Sequence, residues 1–347
     1  MVSELTHSQQ SIKECLHEYL RRNLFPDEQL MIEEFTQASG GWTDETYVLT
    51  VKTTQKTKGY VVRKLKKGSL LSEERNLVQQ YKLLDILSRS TQLPVPKVYK
   101  LEKDSSIIGG EFIIMEKLEG RSYVPWSKEG KAFFVRASTD TDIPKHFANH
   151  LIDLHNLPYK QLGIDDVFED PGEGNGFIDK KLAEIEYLYL KYKNINDPVM
   201  TDALEWLKQK RPPSQRLSII HGDYRTGNML YKENNLSGIL DWEAAEIGDP
   251  LMDVAYICAK ANRMDSPLQC YLLDKEWFLG YYTKKTGIEV EENVLHYFEV
   301  LHQVRFLLLS LSAANAFEKE NATDLRMARQ GYRWTMLRNL LAETIGY

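Results

Sequence analysis

Cysteine is scarce in this sequence: Cys15, Cys258 and Cys270 are the only three in 347 residues. An odd number with no CxxC spacing excludes a complete disulfide framework and a cysteine-rich zinc site, and it fits a reducing compartment. Excess positive charge is also missing. The formal net charge is −6, whereas a general nucleic-acid or anionic-membrane binder needs a basic face. Neither an internal repeat nor a low-complexity tract is present. The most apolar stretch, around residues 306–317, reads as shorter than the ~20 residues that span a bilayer. The opening MVSELTHSQQ lacks the basic-then-apolar pattern of a signal peptide. These absences together predict a cytoplasmic protein with no nucleic-acid or membrane partner.

Hydrophobic residues make up 42% of the chain and charged residues 27%, the balance of a globular protein. At this length a single compact core is not expected, and a two-lobed body is the default. Residues 8–24 have a helical period through Ile12, Leu16 and Tyr19. The β-like runs 46–53 and 59–65 flank the polar segment QKTK, a hairpin signal. A helix comes next, with Ser72 as its expected N-cap and Glu73 and Glu74 in its first turn. The run 111–120 reads as a strand ending at Gly120. The pattern predicts an α+β lobe over residues 1–120 and a mostly helical lobe over 121–347. Within the second, 121–143 reads as a linker or insert. Helical patterns then recur at 178–192, 200–207, 294–317 and 324–345.

One island interrupts those helices: LSIIHGDYRTGNMLYKENNLSGILDWE. Asp223 stands five residues before Asn228. Asp241 comes thirteen positions later, at the end of a second strand entered through a turn at Asn234–Asn235. Phosphoryl transfer to an alcohol needs one carboxylate to orient the hydroxyl and take its proton, and oxygen ligands that hold magnesium against nucleotide phosphates. An Asp, an Asn and a second Asp on one hairpin supply that set. The H-R-D-x-x-x-x-N and D-F-G pattern of protein kinases uses the same parts; here Gly222 replaces Arg and Trp242-Glu243 replaces Phe-Gly.

The motifs HGDYRTGN, LDWE and GDPLMDVAYI resemble the aminoglycoside phosphotransferase-like family, which includes choline-kinase-like enzymes. The branch most similar is the kinase-like domain fused to some acyl-CoA dehydrogenases. The resemblance extends through SGGWTDETYVLTV, VVRKLKKGSLL, LPVPKVYKLE and EFIIMEKLEG. It implies a two-lobed, protein-kinase-like α+β fold. It also implies an ATP- and magnesium-dependent kinase of a small-molecule hydroxyl, with GTP left open as the nucleotide. Asp223 would be the catalytic carboxylate, Asn228 and Asp241 the magnesium ligands, and Glu243 an assistant. Arg63 would meet the phosphates, beneath the loop of Ser39, Gly40, Gly41, Trp42 and Thr43. Met115, Glu116, Lys117 and Leu118 would pass the adenine through backbone groups, and Asp253 would brace the catalytic loop.

One position departs from the family pattern. Gln80 stands where a Glu normally pairs with the strand's basic residue, so it would hydrogen-bond Arg63 without the charge. That keeps a catalytically quiet nucleotide-binding module as an alternative. A protein-kinase role ranks lower, because no A-P-E segment comes after the DWE. Other readings compete at single residues. His221 beside a strand reads as a hydrogen-bonded core residue, Gly40-Gly41 alone as an ordinary turn, and Arg63-Lys64 as a solvated charge pair. Alternation allows only one of that last pair to face a nucleotide. The acceptor could be an aminoglycoside-like or other hydroxylated antibiotic, which would make the protein a resistance enzyme. It could equally be a hydroxy acid or hydroxyacyl thioester.

Overall fold

The computed structural model describes residues 9–38, 44–65, 76–193, 196–319 and 325–347. The expectations placed on Ser39, Gly40, Gly41, Trp42, Thr43, Ser72, Glu73 and Glu74 lie outside these residues. The chain divides into two compact units, Met1–Glu119 and Gly120–Tyr347. An antiparallel sheet dominates the first and helices the second, which is the expected α+β class.

In the first unit α1 (Gln9–Asn23) precedes β1 (Leu30–Gln37), β2 (Asp44–Thr53) and β3 (Thr57–Leu65). Helix α2 (Leu77–Ser90), β4 (Val98–Glu102) and β5 (Phe112–Glu116) complete it. The five strands lie in the order β1-β2-β3-β5-β4, with antiparallel neighbours throughout. Tyr60, Val62, Phe112 and Ile114 on one face share a core with Ile12, Leu16 and Leu20 of α1. Period-2 alternation therefore turns Arg63, paired across strands with Ile113, to the opposite face. Lys64, paired with Phe112, stays on the α1 face, so the two basic residues lie on opposite faces of the sheet as alternation requires. Helix α2 starts at Leu77. Asn76 caps it, its side chain accepting from the N–H groups of Val78 at 3.0 Å and Gln79 at 3.3 Å. Strand β5 stops at Glu116 rather than Gly120.

The second unit opens with α3 (Lys128–Asp140), inside the segment read as a linker. Ser127 caps α3 by accepting from Gly130 N at 3.0 Å, and Phe133 and Phe134 are buried. The sequence reading missed this helix because its charged residues obscure a short apolar stripe. Helices α4 (Ile143–His155), α5 (Gly176–Tyr192) and α6 (Pro198–Gln209) lead to β6 (Ser218–Ile220). The hairpin of β7 (Met229–Lys232) and β8 (Asn235–Ile239) comes next, and β9 (Glu246–Gly248) pairs back with β6. The hairpin turn sits at Glu233–Asn234, one residue earlier than expected, with Glu233 left-handed at φ 55°.

Helices α7 (Leu251–Cys258), α8 (Lys275–Thr286), α9 (Glu292–Lys319), α10 (Leu325–Tyr332) and α11 (Trp334–Ile345) finish the unit. The single terminal helix expected over 324–345 is thus two, broken at Arg333. Helix α9 also corrects the expectation about apolar length. Its span Glu292–Glu318 is long and apolar enough to cross a membrane, by length and composition alone. Of its most apolar window 61% is buried inside the protein, where α9 packs against α5, α6, α7, α10 and α11.

Candidate active site

Strand β6 delivers the chain to His221, and a buried carboxylate holds the loop that begins there. Asp253, in the first turn of α7 and fully buried, accepts from the backbone N–H groups of His221 at 2.7 Å and Gly222 at 2.8 Å. His155 Nε2 lies 3.2 Å from the same carboxylate, and its Nδ1 lies 2.7 Å from the Tyr282 hydroxyl. A neutral imidazole satisfies both contacts, donating from Nε2 and accepting at Nδ1. Burial holds the His155 pKa below its ordinary value. Burial alone would push Asp253 up, but the donors around it leave its carboxyl below the usual range. Asp253 thus has the bracing role the sequence suggested.

Gly222 has φ +77°, and a Cβ there would stand 2.4 Å from the Ala244 carbonyl oxygen. Only glycine satisfies both conditions. His221 is wholly buried; its Nε2 meets Leu240 O at 2.9 Å, and its Nδ1 accepts from Asp223 N at 3.3 Å. It is the structural residue expected.

The loop so fixed presents Asp223, whose side chain is 28% exposed. Three side chains donate to this carboxylate. Arg225 Nε lies 3.1 Å from Oδ1, the Tyr256 hydroxyl bonds the same oxygen, and Asn228 Nδ2 lies 2.6 Å from Oδ2. Asn228 Nδ2 also reaches Asp223 O at 2.9 Å, which leaves its Oδ1 as the amide's acceptor. The Asp223 carboxylate holds the Arg225 guanidinium protonated above its ordinary value, against the cost of burial. Burial first, then the Asp223 charge, raises the Tyr256 phenol well above its ordinary value, so it keeps its proton to donate. Arg305 of α9 lies near enough for its charge to act on the same phenol.

Asn228 O accepts from Leu240 N at 2.9 Å, so Asn228 is held beside the segment that leads from β8 to Asp241. Asp241 is left-handed, with φ 62° and ψ 55°, a conformation that costs an aspartate on the order of 1 kcal/mol and collects at functional sites. Among the described residues no three His, Cys, Asp or Glu side chains gather as a closed metal cage. The two candidate ligands, the Asn228 amide oxygen and the Asp241 carboxylate, are both oxygen donors. That chemistry fits magnesium, which takes few protein ligands and completes its shell with phosphate and water.

In the first unit Arg63 is 11% exposed and its guanidinium meets Asp44 at 2.8 Å. Lys64 meets Glu45, its direct cross-strand partner, at 2.8 Å. Neither is a solvated charge. Asp44 is thus an anionic neighbour of Arg63, and Gln80 is buried on α2. Along the expected adenine segment, Glu116 N bonds Lys97 O at 2.8 Å and Lys117 N bonds Gly59 O at 3.2 Å. Two of its donors are therefore spent within the sheet, and the Glu116 carboxylate pairs with Lys58 at 3.0 Å. Leu118, half-buried, comes directly after them. Sequence reasoning missed Asp44, Arg225, Tyr256 and His155. Tyr256 was legible in principle, since it stands three residues after Asp253 on one helix and so shares its face.

The sequence profile of the phosphotransferase enzyme family matches residues 34–285. A probable acyl-CoA dehydrogenase, IBR3 of Arabidopsis thaliana, is 29% identical over 233 residues, covering 64% of this chain and 27% of that protein. Acyl-CoA dehydrogenase family member 11 of Rattus norvegicus is 29% identical over 248 residues, covering 70% and 30% respectively. The chain thus spans less than a third of the length of these relatives. Among solved structures, the aminoglycoside phosphotransferase APH(4)-Ia, in complex with AMP-PNP and hygromycin B, superposes with TM-score 0.64 at 15% identity. That match covers 95% of this chain and 99% of the other. A macrolide 2'-phosphotransferase type I gives TM-score 0.62 at 15% identity over 97% and 99%. With the family's profile matched over well more than half of this chain, the chain belongs to the phosphotransferase enzyme family.

Proposed function

We propose that this kinase transfers the γ-phosphoryl group of ATP, with magnesium, to a hydroxyl group of a small molecule. The observation that carries the reading is the Asp223 carboxylate, fixed by Asn228, Arg225 and Tyr256 on a loop braced by Asp253. Asp223 orients the acceptor hydroxyl and takes its proton as the new O–P bond forms and the bond to the departing ADP oxygen breaks. Asn228 Oδ1 and Asp241 would hold magnesium, which when bound neutralises phosphate charge. Arg63 is the phosphate-binding cation of the first unit. Nucleotide use is supported by the AMP-PNP and ADP complexes of APH(4)-Ia.

Two acceptor classes fit the chemistry. One is an aminoglycoside-like or other hydroxylated antibiotic, in keeping with the 23% identity to an aminoglycoside 3'-phosphotransferase of Niallia circulans over 165 residues. The other is a hydroxy acid or hydroxyacyl thioester. The Arg225 guanidinium on Asp223 favours this second class, since a cation beside the reacting carboxylate repels a polyamine and attracts an anion. The test is nucleotide consumption with magnesium against aminoglycosides, macrolides, choline-like amines, hydroxy acids and hydroxyacyl thioesters. Stimulation by the acids or thioesters is the expected result. Stimulation by aminoglycosides alone would reverse the acceptor assignment. A protein that neither binds nor consumes ATP would overturn the kinase reaction itself.

A further inference from the structure

Resting on that reading, we propose that Tyr256 is a positioning residue for phosphoryl transfer: its phenol locks the Asp223 carboxylate in the orientation that leaves one oxygen lone pair for the acceptor hydroxyl. Asp253 and Tyr256 stand three residues apart on α7 and so lie on one helix face. The first fixes the backbone of the catalytic loop and the second grips its carboxylate, so a single short helix sets both. The phenol is itself immobile. Tyr256 is 7% exposed, and its ring packs on His302 and Phe306 of α9 at centroid distances of 4.9 and 5.9 Å. Arg225, the other donor to Oδ1, is 30% exposed and carries a longer, freer side chain.

A carboxylate has about four lone-pair positions. Tyr256 and Arg225 occupy those of Oδ1 and Asn228 occupies one of Oδ2, which leaves one. The incoming hydroxyl fills that place and gives its proton to Asp223 as its oxygen bonds phosphorus and ADP departs; Tyr256 keeps its own proton throughout. Without the phenol, the carboxylate is free to rotate about its side-chain bond, and the waiting lone pair loses its direction.

The experiment is steady-state hydrolysis of magnesium-ATP by the full chain, with water as the acceptor, so that no identified alcohol is needed. Tyr256→Phe keeps the ring and removes the hydroxyl, whereas Tyr256→Leu removes both. If Tyr256 positions Asp223, Tyr256→Phe lowers kcat about ten- to a hundredfold, with KM for ATP and Tm near wild type. Tyr256→Leu then shows a similar fall in kcat together with a lower Tm. A wild-type kcat in Tyr256→Phe, beside an inactive Asp223→Ala, would reduce Tyr256 to packing and leave the kinase reading intact. Hydrolysis by wild type no faster than by Asp223→Ala would remove Asp223 from the transfer step, and this inference with it.

Discussion

The two units handle buried charge in opposite ways. In the first, each basic residue near the end of β3 is matched by an acid on β2, Arg63 by Asp44 and Lys64 by Glu45. Those contacts are ion pairs, opposite charges meeting across neighbouring strands. In the second, carboxylates are surrounded by donors: Asp253 by two backbone N–H groups and His155, Asp223 by three side chains. A pair can exchange one partner for a phosphate at modest cost. A network with every member bonded resists change, and so keeps a reacting group pointed in one direction.

Removing the centre of the network should have the largest effect. Asp253→Ala strands two buried N–H groups and the His155 donor, and is expected to destabilise the protein by about 3–5 kcal/mol and abolish turnover. Chemical denaturation read by fluorescence measures this, and a loss below about 1 kcal/mol would break the contrast between network and pair. The first unit's counterpart is Asp44→Asn. Loss of this carboxylate is expected to cost about 1–3 kcal/mol in the free protein. Magnesium-ATP should then raise the Tm of the variant more than that of wild type, because phosphate oxygens take over beside Arg63. Equal ATP-induced shifts in the two proteins would contradict that exchange.

A smaller effect is expected at His302 of α9, buried with Nε2 at 2.8 Å from Met252 O. Burial above all, with Arg305 assisting, holds its pKa down at about 3. The unfolded chain takes up this proton near the ordinary value of about 6.5. Stability is therefore unaffected above that pH and falls as pH drops through the window from about 6.5 to 3, with about 2 kcal/mol lost by pH 5. His302→Gln keeps a donor for Met252 O and should flatten the difference between urea midpoints at pH 7 and pH 5 by that amount. The subtraction separates His302 from Asp249, whose carboxyl burial pushes up to about 6, so that its contribution runs the other way across that interval.

How much of this was readable in the sequence depended on the range of the interaction. The α+β class, the β2–β3 hairpin and the first and ninth helices came from local period, because one buried face fixes the pattern. Asp223, Asn228 and Asp241 were found because one hairpin carries all three within nineteen residues. Helix α3 was obscured because its short apolar stripe, Phe133, Phe134 and Ala137, is set among charged residues. Asp44 went unrecognised because its meeting with Arg63 depends on strand register, which the hydrophobic pattern gives only to within a residue or two. His155 depends on packing between elements distant in the chain, which no local pattern marks, whereas Tyr256 shares a helix face with Asp253 and only its reach to Asp223 is non-local.

The most direct test of the central claim pairs two measurements on Asp223→Ala: calorimetric binding of magnesium-ATP, and turnover with magnesium-ATP. The variant is expected to bind the nucleotide within a few-fold of wild type while losing turnover by at least about a thousandfold. An Asp223→Ala protein that turns over at the wild-type rate would remove Asp223 from the chemistry and contradict the account.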